Sequence, residues 1–169
     1  MTDPPIVKRK GFAYVTSRGP AGERLLIFSH PNAPEAGLQV PAGTLLDGES
    51  PEACALREAR EETGLDDLEV VSFLGEQLRD ARSVGKNELH HRYFFHLRCT
   101  AAAPPERWRI LENYPSDQLE AGVAELERPL FELFWVDLPN GVSPLIAGHD
   151  HYLHLLLERL GLTPSPRRV

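Results

Sequence analysis

The sequence predicts an α/β (α+β) fold, a mixed β-sheet with two helices packed on it. Three observations point there. Short runs rich in β-branched and aromatic residues alternate loosely with two helix-patterned segments. A length of 169 residues suits one domain with a sizeable core. Apolar residues at 41% and charged residues at 25% are ordinary for a soluble globular chain. No apolar run approaches the length of a membrane span, and the N-terminal MTDPPIVKRK lacks the apolar centre of a signal peptide. Cys54 and Cys99 stand apart with no metal-finger spacing, so reduced thiols and a cytoplasmic location are expected.

Taken in order, residues 12–15 and 24–28 read as a β-hairpin around a turn at 18–22. Residues 38–41 form a short strand that leads into Gly43. Ser50 is a good N-cap, Pro51 fits the first helical position, and Gly64 suits a left-handed residue at the end, so a helix spans the stretch between them. Strands follow at 68–74 and 91–97, joined by a polar hairpin that carries Arg79, Arg82 and Lys86. Residues 100–130 contain prolines, alanines and scattered acids and are expected to be an irregular connection. Residues 131–136 form a further strand with Trp135 in the core. Residues 149–160 form a second amphipathic helix through Leu153, Leu156, Leu157 and Leu160. Residues 1–162 thus read as a single domain and 163–169 as a loose tail.

Charge is concentrated in one place. The chain carries −7 overall, and residues 43–69 hold nine acids against two bases, so the remainder is neutral. On a helical wheel of about 100° per residue, Leu56 centres a packing face with Ala53, Ala59 and Thr63. Glu58, Glu61 and Glu62 fall on the opposite side. Such a face is either a solvated acidic surface or a site for a hard divalent cation, since Mg²⁺ takes a few carboxylate oxygens together with water and phosphate.

The spacing favours the cation. Gly43, five residues, Glu49, seven residues, then Arg57-Glu58-Ala59-Arg60-Glu61-Glu62-Thr63-Gly64-Leu65 resembles the Nudix box at every fixed position, with Ala59 a small occupant of the hydrophobic slot. The resemblance implies the α/β/α sandwich of the Nudix fold and a Mg²⁺- or Mn²⁺-dependent hydrolase that cleaves the diphosphate linkage of a small nucleoside diphosphate derivative. It implies Glu58 and Glu62 as principal metal ligands, Glu61 as a further ligand or the group that helps activate water, and Gly43 as a donor of its backbone carbonyl. Arg57 and Glu49 would orient those carboxylates from behind. The general base varies within the family, so no single glutamate is assigned to it.

Beyond the box, a later glutamate often completes the metal set in this family. Glu112, Glu120, Glu125, Glu127 and Glu132 compete with the reading of each as a surface acid, and Glu125 and Glu127 are preferred because they precede the strand at 131–136. Arg79, Arg82, Lys86 and Arg92 are candidate substrate contacts, arginine being suited to phosphate, or else belong to a solvated loop. Trp108 and Tyr114 could stack a base or serve as anchors. His149, His151 and His154 read as helix-surface residues, because no partner stands at zinc-site spacing. His90 and His91 point to opposite faces of their strand, so at most one lines a pocket.

Two other functions share the box: a nucleotide-binding or regulatory module without turnover, and a pyrophosphohydrolase of RNA 5′ ends. Retention of Glu58, Glu61 and Glu62 argues against the first. Against the second, the chain outside the box is neutral and lacks the basic, aromatic stripe of a nucleic-acid binder. A homodimer is compatible with the resemblance.

Overall fold

The computed structural model describes residues 3–112 and 128–163. Tyr114, Glu120, Glu125, Glu127 and the tail from residue 164 onward lie outside the described residues. Seven strands form one mixed sheet: β1 (Ile6–Gly19), β2 (Gly22–Ser29), β3 (Ala42–Thr44), β4 (Leu68–Asp80), β5 (Glu88–Cys99), β6 (Arg107–Leu111) and β7 (Leu130–Asp137). Their order is β4-β5-β1-β2-β7-β6, with β3 paired to β1 off that path. The β1–β5 pair is parallel and the others are antiparallel. Helix α1 (Pro51–Thr63) packs on one face and the shorter α2 (Leu153–Arg159) on the other.

Alternation along β1 divides the core. Ala13 and Val15 point to the α1 side, where they meet Ala55, Ala59, Phe95 and Leu97. Phe12 and Tyr14 point to the α2 side, among Phe94, Leu74, Leu156 and Leu157. The two-residue period of a strand that is buried on both faces accounts for this division.

Four expectations are corrected. The short strand lies at β3, so Gly43 is within it, and Gln39 makes only an isolated bridge to Phe28. Residues 100–130 contain a strand, β6, whose Trp108 and Ile110 pack inward while Arg107 and Arg109 face out. That pattern is what an edge strand shows. The second helix begins at Leu153 rather than 149, because His149 turns inward and is buried. Trp135 lies on the margin of the core: its ring sits under the Arg24 guanidinium and its indole N–H donates to the Pro105 carbonyl at 2.8 Å. Among the described residues no helix is long and apolar enough to cross a membrane.

Candidate active site

Local chemistry fixes both ends of α1. The Ser50 side chain accepts from the Ala53 N–H at 3.1 Å, Pro51 occupies the first turn, and Gly64 closes the helix at φ 73° with its N–H on the Arg60 carbonyl. Its orientation on the sheet is set by two glycines that face each other across the β1–β3 pair, Gly11 and Gly43. A Cβ on Gly11 would lie 2.8 Å from the Ala55 backbone N and 3.0 Å from the Pro51 carbonyl O, so the helix backbone rests directly on this strand. A Cβ on Gly43 would run into the Glu58 carboxylate. Gly11 was not singled out from the sequence, and its signal is faint: a glycine inside an apolar strand marks a close backbone approach.

This close seating turns α1 by roughly one residue, about 100°, from the face that apolarity alone selects. The buried stripe is Cys54, Ala55, Glu58, Ala59, Glu62 and Thr63, whereas Leu56 is half-buried and Ala53 exposed. Glu58 and Glu62 therefore do not stand on an open acidic face. They lie at the helix–sheet seam, 6% and 5% exposed, with Glu61 outside it.

Arg57 organises the group. Its Nε and Nη2 donate to the two Glu49 oxygens at 2.8 and 3.0 Å, and Nη2 also donates to the Thr44 carbonyl at 3.2 Å. Its Nη1 donates to Glu58 Oε1 at 2.8 Å and to Glu61 Oε2 at 3.1 Å. Glu49 itself accepts from the Leu46 N–H at 3.1 Å. The arginine's hydrogen bond holds the Glu49 carboxyl below its ordinary range, and the same bond, working against some burial, raises the Arg57 pKa. Behind the group, the Cys54 thiol donates to the Gly43 carbonyl at 3.4 Å; burial pushes this thiol up to about 12, so it is not a nucleophile.

The two buried carboxylates behave differently. Burial raises Glu58, and the Arg57 charge opposes that rise. Glu62 is raised well above the usual carboxylate range, first by burial, then by Glu58 and by Glu112, against one hydrogen bond from the Ala42 N–H at 3.3 Å. Like charges that meet in a buried seam disfavour full ionisation of the pair. Three carboxylates converging on one point are not found among the described residues, since Glu61 turns toward Arg57. The donor chemistry nevertheless fits a hard divalent ion: oxygen ligands, buried like charges in contact, and a strand with no side chain at Gly43 to fill the space.

The remaining candidates are dispersed. Glu112, just after β6, is the later acid whose charge reaches Glu62. Glu132 is instead engaged by Arg107 at 3.0 Å and Arg109 at 3.2 Å. Arg82 is paired with Asp80 at 2.6 Å in the exposed β4–β5 hairpin, and Lys86 lies in the same turn. Arg79 and Arg92 share the α2 side of the sheet, opposite the carboxylates: Arg79 is half-buried and Arg92 buried. Trp108 anchors β6 to the helix by donating to the Thr63 carbonyl at 2.8 Å. His149 is also a correction. Its Nδ1 accepts from the Val40 N–H at 3.2 Å, and burial lowers its pKa to about 3. His151 and His154 are exposed.

On the carboxylate side, an open groove of about 470 Å³ runs beside residues 44–49 and past Lys8 and Arg9. There the Arg9 guanidinium lies 5.3 Å from the Tyr93 ring centre, with His91 stacked on Tyr93 at 4.4 Å.

A family model described as NUDIX domain matches residues 8–138. Several solved structures share the fold. The NUDIX domain of NrtR from Shewanella oneidensis, solved with ADP ribose, is 18% identical, with a TM-score of 0.58, 94% of this chain covered and 90% of that one. RenU, a Nudix hydrolase from M. smegmatis, is 20% identical with a TM-score of 0.53 and the same two coverages of 94% and 90%. A Listeria monocytogenes protein assigned to the NUDIX hydrolases is 19% identical, with a TM-score of 0.58 and coverages of 90% and 93%. At these identities the likeness is one of fold. No curated protein matches the chain.

Proposed function

The chain belongs to the Nudix family of pyrophosphohydrolases, and on that premise we propose that it hydrolyses the diphosphate linkage of a small nucleoside diphosphate derivative with Mg²⁺ or Mn²⁺ held at Glu58, Glu62, Glu61 and the Gly43 carbonyl. One observation carries the reading. Glu58 and Glu62 are buried together at a seam where Gly43 leaves room beside them and Arg57 reaches only Glu58 of the two, an arrangement that costs stability unless a cation compensates it.

A divalent ion held there would supply Lewis-acid chemistry, lowering the pKa of a bound water and stabilising charge on the departing phosphate. The chain's own residues supply the rest. Arg57, tied to Glu49 and to the Thr44 carbonyl, holds Glu58 in one rotamer and reaches Glu61. Glu61, the most exposed of the three, would act as a further ligand or accept a proton from attacking water. Glu58 and Glu62 would have to be ionised to hold a cation, because a ligating carboxylate must be deprotonated.

The groove beside residues 44–49 offers the nucleotide portion a place on the same side of the sheet as the carboxylates. The free, buried thiols of Cys54 and Cys99 fit a reducing, cytoplasmic setting. The test is a hydrolysis screen with Mg²⁺ or Mn²⁺ over nucleotide sugars, dinucleoside polyphosphates, ADP-ribose, NADH, coenzyme A and nucleoside triphosphates. Diphosphate cleavage of at least one compound, lost on chelation, supports the reading. Tight binding without turnover would favour a nucleotide-binding module.

A further inference from the structure

We propose that the sheet face turned away from α1 carries a second anion site, formed by Arg79 of β4 and Arg92 of β5 beneath the Ala147–Gly148 turn, and that it takes a phosphate group. The alternation of β4 and β5 sends both side chains to this face, with Gln77 directly across from Arg92 and His90 across from Arg79. The two guanidiniums converge. The point where a Cβ on Gly148 would sit lies 3.0 Å from Arg79 Nη1 and 3.6 Å from Arg92 Nη1, so only a glycine keeps the space between them open.

Neither arginine is paired with a carboxylate among the described residues. Arg92, 4% exposed, donates from Nη1 to the Ala147 carbonyl at 2.6 Å and stacks over Phe12, but its buried Nε has no partner. His90 Nδ1 and Gln77 Oε1, on the same face, are likewise buried without one. The neighbouring acid, Glu88, is already engaged by Lys8 at 2.8 Å and His90 at 2.7 Å. Burial, followed by the Arg79 charge, lowers Arg92 to about 10, and the charges of Arg92, Lys10 and Arg79 add to the burial that keeps His149 neutral. A face with excess positive charge and an unused guanidinium edge suits an oxyanion, which arginine binds through paired N–H donors.

The turn above is built for close approach. Ala147 holds φ 53° and Gly148 φ 72°, a left-handed pair that aims the Ala147 carbonyl at Arg92 and leaves Arg79 accessible at the rim. The sheet separates this site from Glu58 and Glu62, so it is independent of the metal chemistry proposed above.

The test is thermal unfolding of the full chain in EDTA, titrated with inorganic phosphate, with adenosine monophosphate, or with chloride at matched ionic strength. Phosphate should raise the transition of the wild type and of Glu62→Gln alike, with chloride ineffective. Arg79→Gln, which breaks no hydrogen bond among the described residues, should weaken phosphate about tenfold or more. A nucleotide that binds tenfold tighter than phosphate identifies a nucleotide's phosphate as the ligand, and equal binding identifies free phosphate. A wild-type response no greater than that to chloride, or a full response in Arg79→Gln, overturns the proposal. Loss of the response in Glu62→Gln alone would place the anion at the carboxylates and overturn it as well.

Discussion

Replacing Gly43 with alanine isolates the contact on which the carboxylate geometry depends. Gly43 sits in a strand with an extended backbone that any residue adopts, and what opposes a side chain there is the Glu58 carboxylate. Ordinary contact between such atoms is about 3.5 Å, so the methyl group must drive the carboxylate away by about 1.4 Å. The obstacle is the end of a flexible side chain and not backbone. The cost to stability should therefore stay within about 1 kcal/mol, below the 1–3 kcal/mol typical of overpacking. The displacement breaks the 2.8 Å bond from Arg57 to Glu58 and misplaces the carboxylate proposed to hold the metal. Misplacement on this scale costs roughly 100-fold in rate, or about 2.7 kcal/mol of transition-state stabilisation. The assay is kcat/KM at saturating divalent ion, with urea unfolding of the same preparation. A Gly43→Ala enzyme within about threefold of wild type would refute the close-packing account. So would an activity loss matched by gross destabilisation.

Other outcomes follow from the same geometry. Gly11→Ala meets helix backbone at 2.8 Å rather than a side-chain end, so it should lose about 1–3 kcal/mol in denaturant unfolding; a neutral result would contradict the seating of α1. Trp108→Phe removes the indole bond to the Thr63 carbonyl and should cost about 1 kcal/mol, measured by the midpoint of unfolding, with kcat little changed. His149 and His96 are held neutral, at about 3 and about 4, chiefly by burial. Below about pH 6.5 the unfolded chain therefore takes up protons that the folded chain refuses, and stability falls by up to about 1.4 kcal/mol per pH unit for each histidine. Glu58 and Glu62, raised in the fold, work in the opposite sense as the pH drops. His149→Gln removes one histidine from that balance, so its stability should fall less than wild type between pH 6.5 and 4.5, and an identical slope would contradict the buried assignment.

The parts of this fold legible in the sequence are those set by local chemistry. Ser50, Pro51 and Gly64 delimit α1 because caps act within one turn, and the spacing from Gly43 to Leu65 identified the family because its fixed positions are many. The rotation of α1 was not legible. A wheel ranks residues by apolarity and chose Leu56, whereas the sheet offers two glycines that admit Ala55 and, beside it, charged Glu58 and Glu62. Functional sites are where such local rules fail, since stability is given up there for chemistry. Strand β6 did leave a signal: alternation of Arg107, Trp108, Arg109 and Ile110 has the period of two, obscured by the prolines before it. The inward turn of His149 had none, because its partners, the Val40 N–H and the Phe12 ring, are more than 100 residues away.

The central claim is that Glu58 and Glu62 are kept together, at a cost to the fold, in order to hold a divalent ion over a diphosphate. Glu62→Gln tests it in one preparation assayed with Mg²⁺ or Mn²⁺ against the best substrate from the screen, alongside unfolding in EDTA. Relief of the buried like-charge contact should make the metal-free variant at least as stable as wild type, while metal-dependent hydrolysis falls by two orders of magnitude or more. Near-normal hydrolysis by Glu62→Gln, or wild-type hydrolysis that persists in EDTA, would contradict it.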